Sequence, residues 1–304
     1  MSAPGKSGRI ALLILFSALL FMRSFGLRQA SANAPINNKQ KAHSYYLEAE
    51  RFARQRLYDE AVVSIGKAIA LDPQNPTFHC RKSDFIFILQ DDDNEALKEI
   101  ERAISCTNPP PISYFANKAS ILERLRRFPE ALASVNKVIA SKEYRITSQC
   151  PEIFKMAIAS VYSRRAGIER KMGHAQDAVN DLNIAIKLHP QQIDFRFYRA
   201  ENNAVLKNWS QVIPDIAFSI TECRNDAPVL RKRECYIMLA HAYAELKNFT
   251  KATETYKNAL RDCPDDRVLI TAMKKYFVSI GDKKNAESLQ KRIDSLDEDF
   301  VPFK

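Results

Sequence analysis

Six cysteines and five histidines are the side chains of this chain best suited to bridge, bind a metal or carry a nucleophilic reaction. His43, His79, His174, His189 and His241 stand on separate stretches, without the short spacings that aim two ligands at one ion. There is no G-x-S-x-G, no glycine-rich phosphate loop and no H-E-x-x-H. The expectation is therefore a non-enzyme with no catalytic residue, no cofactor and no metal. Asp91-Asp92-Asp93-Asn94 lacks the alternating acids, central glycine and distal glutamate of a calcium loop, and reads as a charged turn that caps a helix. Asn208-Trp209-Ser210 and Asn248-Phe249-Thr250 match the glycosylation acceptor pattern, and both fall on turns.

What the cysteines do depends on the compartment and on the elements that carry them. Residues 1–32 have a basic start to Arg9, an apolar run from Ile10 to Met22 and the small-residue pattern Ala30-Ser31-Ala32. This reads as an export signal cut after Ala32. As a helix the run reaches only about 20 Å against a hydrocarbon core of about 30 Å, which makes it a weak permanent span. An uncleaved anchor and an organellar transit sequence remain the alternatives, because Arg23 and Arg28 follow the run and no acid precedes Glu48. Removing the four cations of this segment takes the net charge from +10 to +6, too diffuse for a dedicated nucleic-acid binder. With 46% apolar residues and only 7 glycines, a large core is available, and folds that depend on glycine turns are disfavoured.

Past a polar linker at 33–41, the chain repeats itself. Tyr236, Leu239, Ala240 and Tyr243 form one apolar helical face, residues 246–249 make a turn, and Ala252, Tyr256 and Ala259 form a second face before Pro264. The same layout recurs six more times. The small residues that open each second helix are Ala61, Ala96, Ala131, Ala178, Val212, Ala252 and Ala286, spaced by 35, 35, 47, 34, 40 and 34. Such residues let helix backbones approach closely, and stacking of successive pairs buries what one pair leaves exposed. Asp59, Asn94, Ser210 and Thr250 are expected to cap second helices, with Pro129 and Pro214 in first turns. Pro73, Pro109, Pro190 and Pro264 are expected to follow second helices. Extra residues near 141–154 and 225–231 break the period, and 295–304 forms a tail that caps the last helix.

In this register Cys80 and Cys106 lie at one end of a single hairpin, and Cys235 and Cys263 repeat the arrangement, so both pairs are candidate bridges in an oxidising compartment. Cys223 competes for Cys235, and Cys150 has no assigned partner.

The pattern resembles the tetratricopeptide-repeat family over about 42–294. The resemblance implies an all-α fold, a right-handed α-solenoid of about seven antiparallel helix pairs whose first helices line a concave surface. It also implies a protein or peptide partner held on that surface. The register places Tyr46, Glu50, Asp84, Arg124, Arg170, Lys171, Glu201 and His241 there. Relatives that clamp the C-terminal carboxylates of heat-shock chaperones carry Lys and Asn where this chain has Tyr46 and Glu50, so that activity is not implied. The resulting expectation is an exported, periplasmic or secreted scaffold that binds a peptide or helix. Its rivals are a membrane-anchored assembly factor or import receptor, and an enzyme or enzyme subunit with scattered groups. No nucleic acid is expected, and membrane contact only through residues 10–22 if they are retained.

Overall fold

The structure, a computed structural model, describes residues 37–90, 92–147, 149–222 and 229–298. Among them are fourteen α-helices and no strand. Two compact units divide at Cys106 and Thr107.

The first unit contains α1 (Asn38–Arg54), α2 (Tyr58–Leu71), α3 (Pro76–Leu89) and α4 (Asp93–Ser105). Helices α1 and α2 pack as one hairpin and α3 and α4 as another, with α2 against α3. Ala49, Ala61 and Ala68 are fully buried where these helices approach, and Ile65 and Phe85 fill the space between them. Burial of each such large side chain contributes about 1.5–3 kcal/mol.

The second unit contains α5 (Ile112–Arg124), α6 (Phe128–Ala140), α7 (Glu152–Lys171), α8 (Ala175–Leu188), α9 (Ile193–Val205) and α10 (Trp209–Glu222). It continues with α11 (Val229–Glu245), α12 (Phe249–Asp262), α13 (Arg267–Ser279) and α14 (Lys283–Glu298). Consecutive helices pair, and each pair packs on the next. The fold is an all-α solenoid of helix hairpins. All seven small residues of the sequence register are buried, from Ala61 at 0% to Ala286 at 6% exposure.

A second buried stripe lies one turn further along the second helices. It comprises Ser64, Glu99, Ser134, Asp181, Asp215 and Thr255. A buried polar group must be bonded, and each of these is. Asp181 takes a two-pronged bond from Arg165 at 2.6 and 2.7 Å, and Asp215 takes the same from Arg199. Each arginine also reaches back to the preceding second helix, Arg165 to Asn136 at 2.9 Å and Arg199 to Asn183 at 2.6 Å. These bonds tie one hairpin to the next.

Several boundaries differ from the sequence reading. The expected linker at 33–41 is already helical from Asn38, because Asn37 and Gln40 form a capping box. Residues 33–36 lie outside the described chain. The caps stand earlier than expected: Asp92 rather than Asn94 caps α4, and Asn248 rather than Thr250 caps α12. Asp59 is a first-turn acid of α2, whose N-cap is Leu57. Pro129 does occupy the first turn of α6, but Pro214 lies inside α10, which begins at Trp209. Part of the longer insertion forms a short 3-10 turn at Lys142–Tyr144, where the Tyr144 hydroxyl donates to the Pro110 carbonyl. Its last residues, Glu152 to Phe154, open α7, which runs to 20 residues against 13 in α5 and α9. Helix α14 runs through 295–298 of the expected tail. Residues 1–32, most of the shorter insertion and 299–304 lie outside the described residues.

Candidate functional site

Three first helices of the second unit, α5, α7 and α9, carry the candidate site. A cleft of about 450 Å³ opens along them, lined among others by Glu123, Arg164, Lys171, Asp194, Tyr198 and Asn202. Such a volume lies within the range of ligand-binding clefts. Antiparallel pairing puts every first helix on the same side of its hairpin, so residues far apart in sequence meet there. Lys171 Nζ donates to Glu123 at 2.6 Å and Arg164 to the same carboxylate at 3.3 Å, which links α7 to α5. Arg170 donates to Glu201 at 2.7 Å and links α7 to α9. Burial pushes the Glu201 carboxyl above its ordinary value, Arg170 pulls it down, and Glu234 adds to the rise, with a net upward shift.

Tyr198 is 39% exposed on the cleft wall. Asn202, only 2% exposed, donates from Nδ2 to the Tyr198 carbonyl at 2.8 Å, while its own side-chain oxygen accepts no bond. A buried acceptor without a donor costs about 1–3 kcal/mol.

Of the residues expected on the inner face, Arg170 and Lys171 line this cleft, and Glu201 pairs with Arg170 without being among the lining residues. Arg124 ends α5 next to Glu123 but is not among the lining residues. His241 lies on α11 against Trp209, ring centroids 5.0 Å apart, away from the cleft. Tyr46, Glu50 and Asp84 belong to the first unit, where Arg81 joins them. Its guanidinium bonds Glu50 at 2.6 and 3.0 Å and Asp84 at 3.2 Å, and Tyr46 stacks on Phe78. The sequence reading picked both carboxylates and missed the arginine they share, because a pair separated by 31 residues has no local signature. It also missed Tyr198 and Asn202, which look like ordinary helix residues. The signal that would have found Asn202 is a carboxamide at a position that helical periodicity buries.

In this structure the four cysteines expected to bridge are thiols. Cys80 and Cys235 are buried thiols, and Cys106 and Cys263 are partly exposed ones. Cys106 donates to Gln74 at 3.5 Å. Cys235 packs with Phe197, Val212 and Ile216, whereas Cys263 packs against the core around Tyr236 and Tyr256. Helix rotation turns the two members of this hairpin into different cores, a detail that position along the helix does not reveal. Cys223, the competing partner, lies outside the described residues. Cys150 accepts from the Thr147 amide at 3.3 Å, and bonds from Thr147 lower its pKa.

Among known proteins, residues 234–266 match the tetratricopeptide-repeat family model. No curated protein matches the chain. Similar solved structures include the C-terminal part of a TPR repeat-containing protein from Cytophaga hutchinsonii, with a TM-score of 0.65, 16% identity, and coverage of 83% of this chain and 95% of that one. A tetratricopeptide repeat protein from Parabacteroides merdae gives 0.59 at 15% identity, covering 84% and 93%. PilW, described as a widely conserved type IV pilus biogenesis factor, gives 0.59 at 18% identity, covering 77% and 99%. Identities this low speak to the fold. Residues 234–266 match a tetratricopeptide repeat, and the paired helices with buried small residues at their crossings give the described chain the fold of tetratricopeptide-repeat structures.

Proposed function

We propose that this chain is a non-enzymatic scaffold of an exported compartment that holds a segment of another protein, extended or helical, in the cleft along α5, α7 and α9. Asn202 carries the reading: it lines the cleft and its buried side-chain oxygen has no donor within the fold, so a turn of the carboxamide toward the cleft would let a backbone N–H of an incoming segment supply one. Tyr198 offers an aromatic wall beside it. The cations of the cleft already hold carboxylates, so an acidic peptide would have to displace Glu123 and Glu201, and a segment rich in free amides and apolar side chains fits better. The same pairing argues for binding over catalysis, since these charged groups satisfy one another. In the first unit, Tyr46, Glu50 and Asp84 around Arg81 form a further inner-face patch for the same partner class.

A membrane-anchored assembly factor is the second reading. It is favoured by the likeness to PilW, a biogenesis factor, and it depends on retention of residues 10–22.

The test is photo-crosslinking in the native compartment from a benzophenone amino acid placed at Tyr198, with the same probe at Ile184 on α8 as a control. The expected result is a discrete protein adduct from position 198, about tenfold weaker in an Asn202→Ala background and missing from position 184. Equal adducts from both positions, or adducts with nucleic acid alone, would overturn the reading.

A further inference from the structure

The turn between α7 and α8 departs from the other turns of the repeat in a way that folding alone does not call for. Each of these turns closes with a backbone bond in which the residue before the second helix donates to the carbonyl five residues back. Leu57 donates to Phe52, Arg127 to Leu122, His174 to Glu169, Asn208 to Asn203, Asn248 to Tyr243 and Asp282 to Phe277. The acceptor position is therefore Phe, Leu, Tyr or Phe in four of the other five turns described, and Asn in the fifth. Only between α7 and α8 does it carry a charge. Glu169 has a side chain just 13% exposed, and placing a carboxylate there is costly unless a partner compensates.

The partner is His174, whose Nδ1 lies 2.7 Å from Glu169 Oε2. Asp177, in the first turn of α8, brings a third donor. One ligand atom from each of Glu169, His174 and Asp177 lies within 4.8 Å of the others. A tetrahedral ion with bonds of about 2.0–2.1 Å needs its ligands roughly 3.3 Å apart. His174 and Asp177 are both exposed, so their side chains have room to rotate toward that spacing. The backbone between them is set by Gly173 at φ 88° and by the ends of two helices.

From this geometry we propose that Glu169, His174 and Asp177 bind a divalent transition-metal ion of the Zn²⁺ class. One imidazole nitrogen and two carboxylate oxygens suit such an ion, and water fills the remaining positions. For Nδ1 to bind the ion, the hydrogen it shares with Glu169 moves to Nε2 of the same ring or to solvent. The amide dipoles at the start of α8 oppose a cation, and the Asp177 carboxylate offsets them. The ion would pin the end of α7 to the start of α8, at the rim next to Arg170 and Lys171.

The test is titration of the full chain with Zn²⁺ by calorimetry and with Co²⁺ by absorption spectroscopy, because Co²⁺ bound to thiolates shows intense charge-transfer bands that a nitrogen–oxygen site lacks. One equivalent with a nitrogen–oxygen spectrum is expected, weakened at least about tenfold by His174→Ala and by Asp177→Asn. Asp177→Asn keeps the His174–Glu169 bond, so a fold defect in the histidine variant cannot mimic the result. Unchanged binding in both variants, a spectrum from thiolates alone, or no binding at all would overturn the proposal.

Discussion

Glu99 shows how a single buried charge couples this fold to pH. It is 1% exposed and bonds to His79 Nδ1 at 2.5 Å and to Lys82 Nζ at 2.9 Å. Burial alone pushes its carboxyl up, but the bonds from His79 and Lys82 outweigh that and hold it below the ordinary 4.5. A carboxyl held lower in the folded than in the unfolded chain stabilises the fold fully above its unfolded value. That contribution disappears as pH falls through the folded value. Melting of the first unit is therefore expected to fall more steeply between about pH 6 and about pH 3 in the native chain than in Glu99→Gln. Parallel pH profiles, followed by circular dichroism, would remove this role. In the sequence Glu99 looks like one more acid on a solvated helix face. His79 is legible only as a structural histidine, and their bond across 20 residues is not legible at all.

At the scale of the helical element, the turns hold the unexpected feature. Each first helix ends on a left-handed residue: Arg56, Gln90, Arg126, Gly173, Lys207, Lys247 and Gly281, all with φ between 58° and 88°. Only two of the seven are glycine. A side chain in this conformation costs about 1 kcal/mol relative to glycine. Lys247→Gly is expected to stabilise the protein by about 0.5–1 kcal/mol. Gly281→Ala is expected to destabilise it by about 1 kcal/mol. An added Cβ at Gly281 meets nothing within 4 Å, so that loss comes from the backbone alone. Urea midpoints at constant slope measure both, and a lower midpoint for Lys247→Gly would show that its side chain holds the turn. Gly173 and Gly281 betray two turns to a reader of the sequence, while Lys247 falls in the turn read at 246–249 and the other four positions pass for ordinary helix.

For the whole molecule, the proposed export rests on residues 1–32, which lie outside the described structure. Intact mass of the protein recovered from its native cell is expected to match a chain beginning at Asn33. A mass that retains Ile10 to Met22 would favour the anchored reading. None of the described helices is long and apolar enough to cross a membrane, so any such anchor would have to come from outside them.

The amino-acid order by itself determined the helix pairs, because helical periodicity and the small residues at 61, 96, 131, 178, 212, 252 and 286 act within a few turns of chain. It also placed Arg170, Lys171 and Glu201 on first helices, and in the second unit the first two line one cleft while Glu201 pairs with Arg170. Only tertiary structure decided which charges meet. Arg170 reaches Glu201 across 31 residues and Lys171 reaches Glu123 across 48, distances over which no local pattern acts. The rotation of each helix about its own axis, set by packing, chose which core received each cysteine. It also left the Asn202 oxygen without a donor and turned Glu169, His174 and Asp177 toward one another.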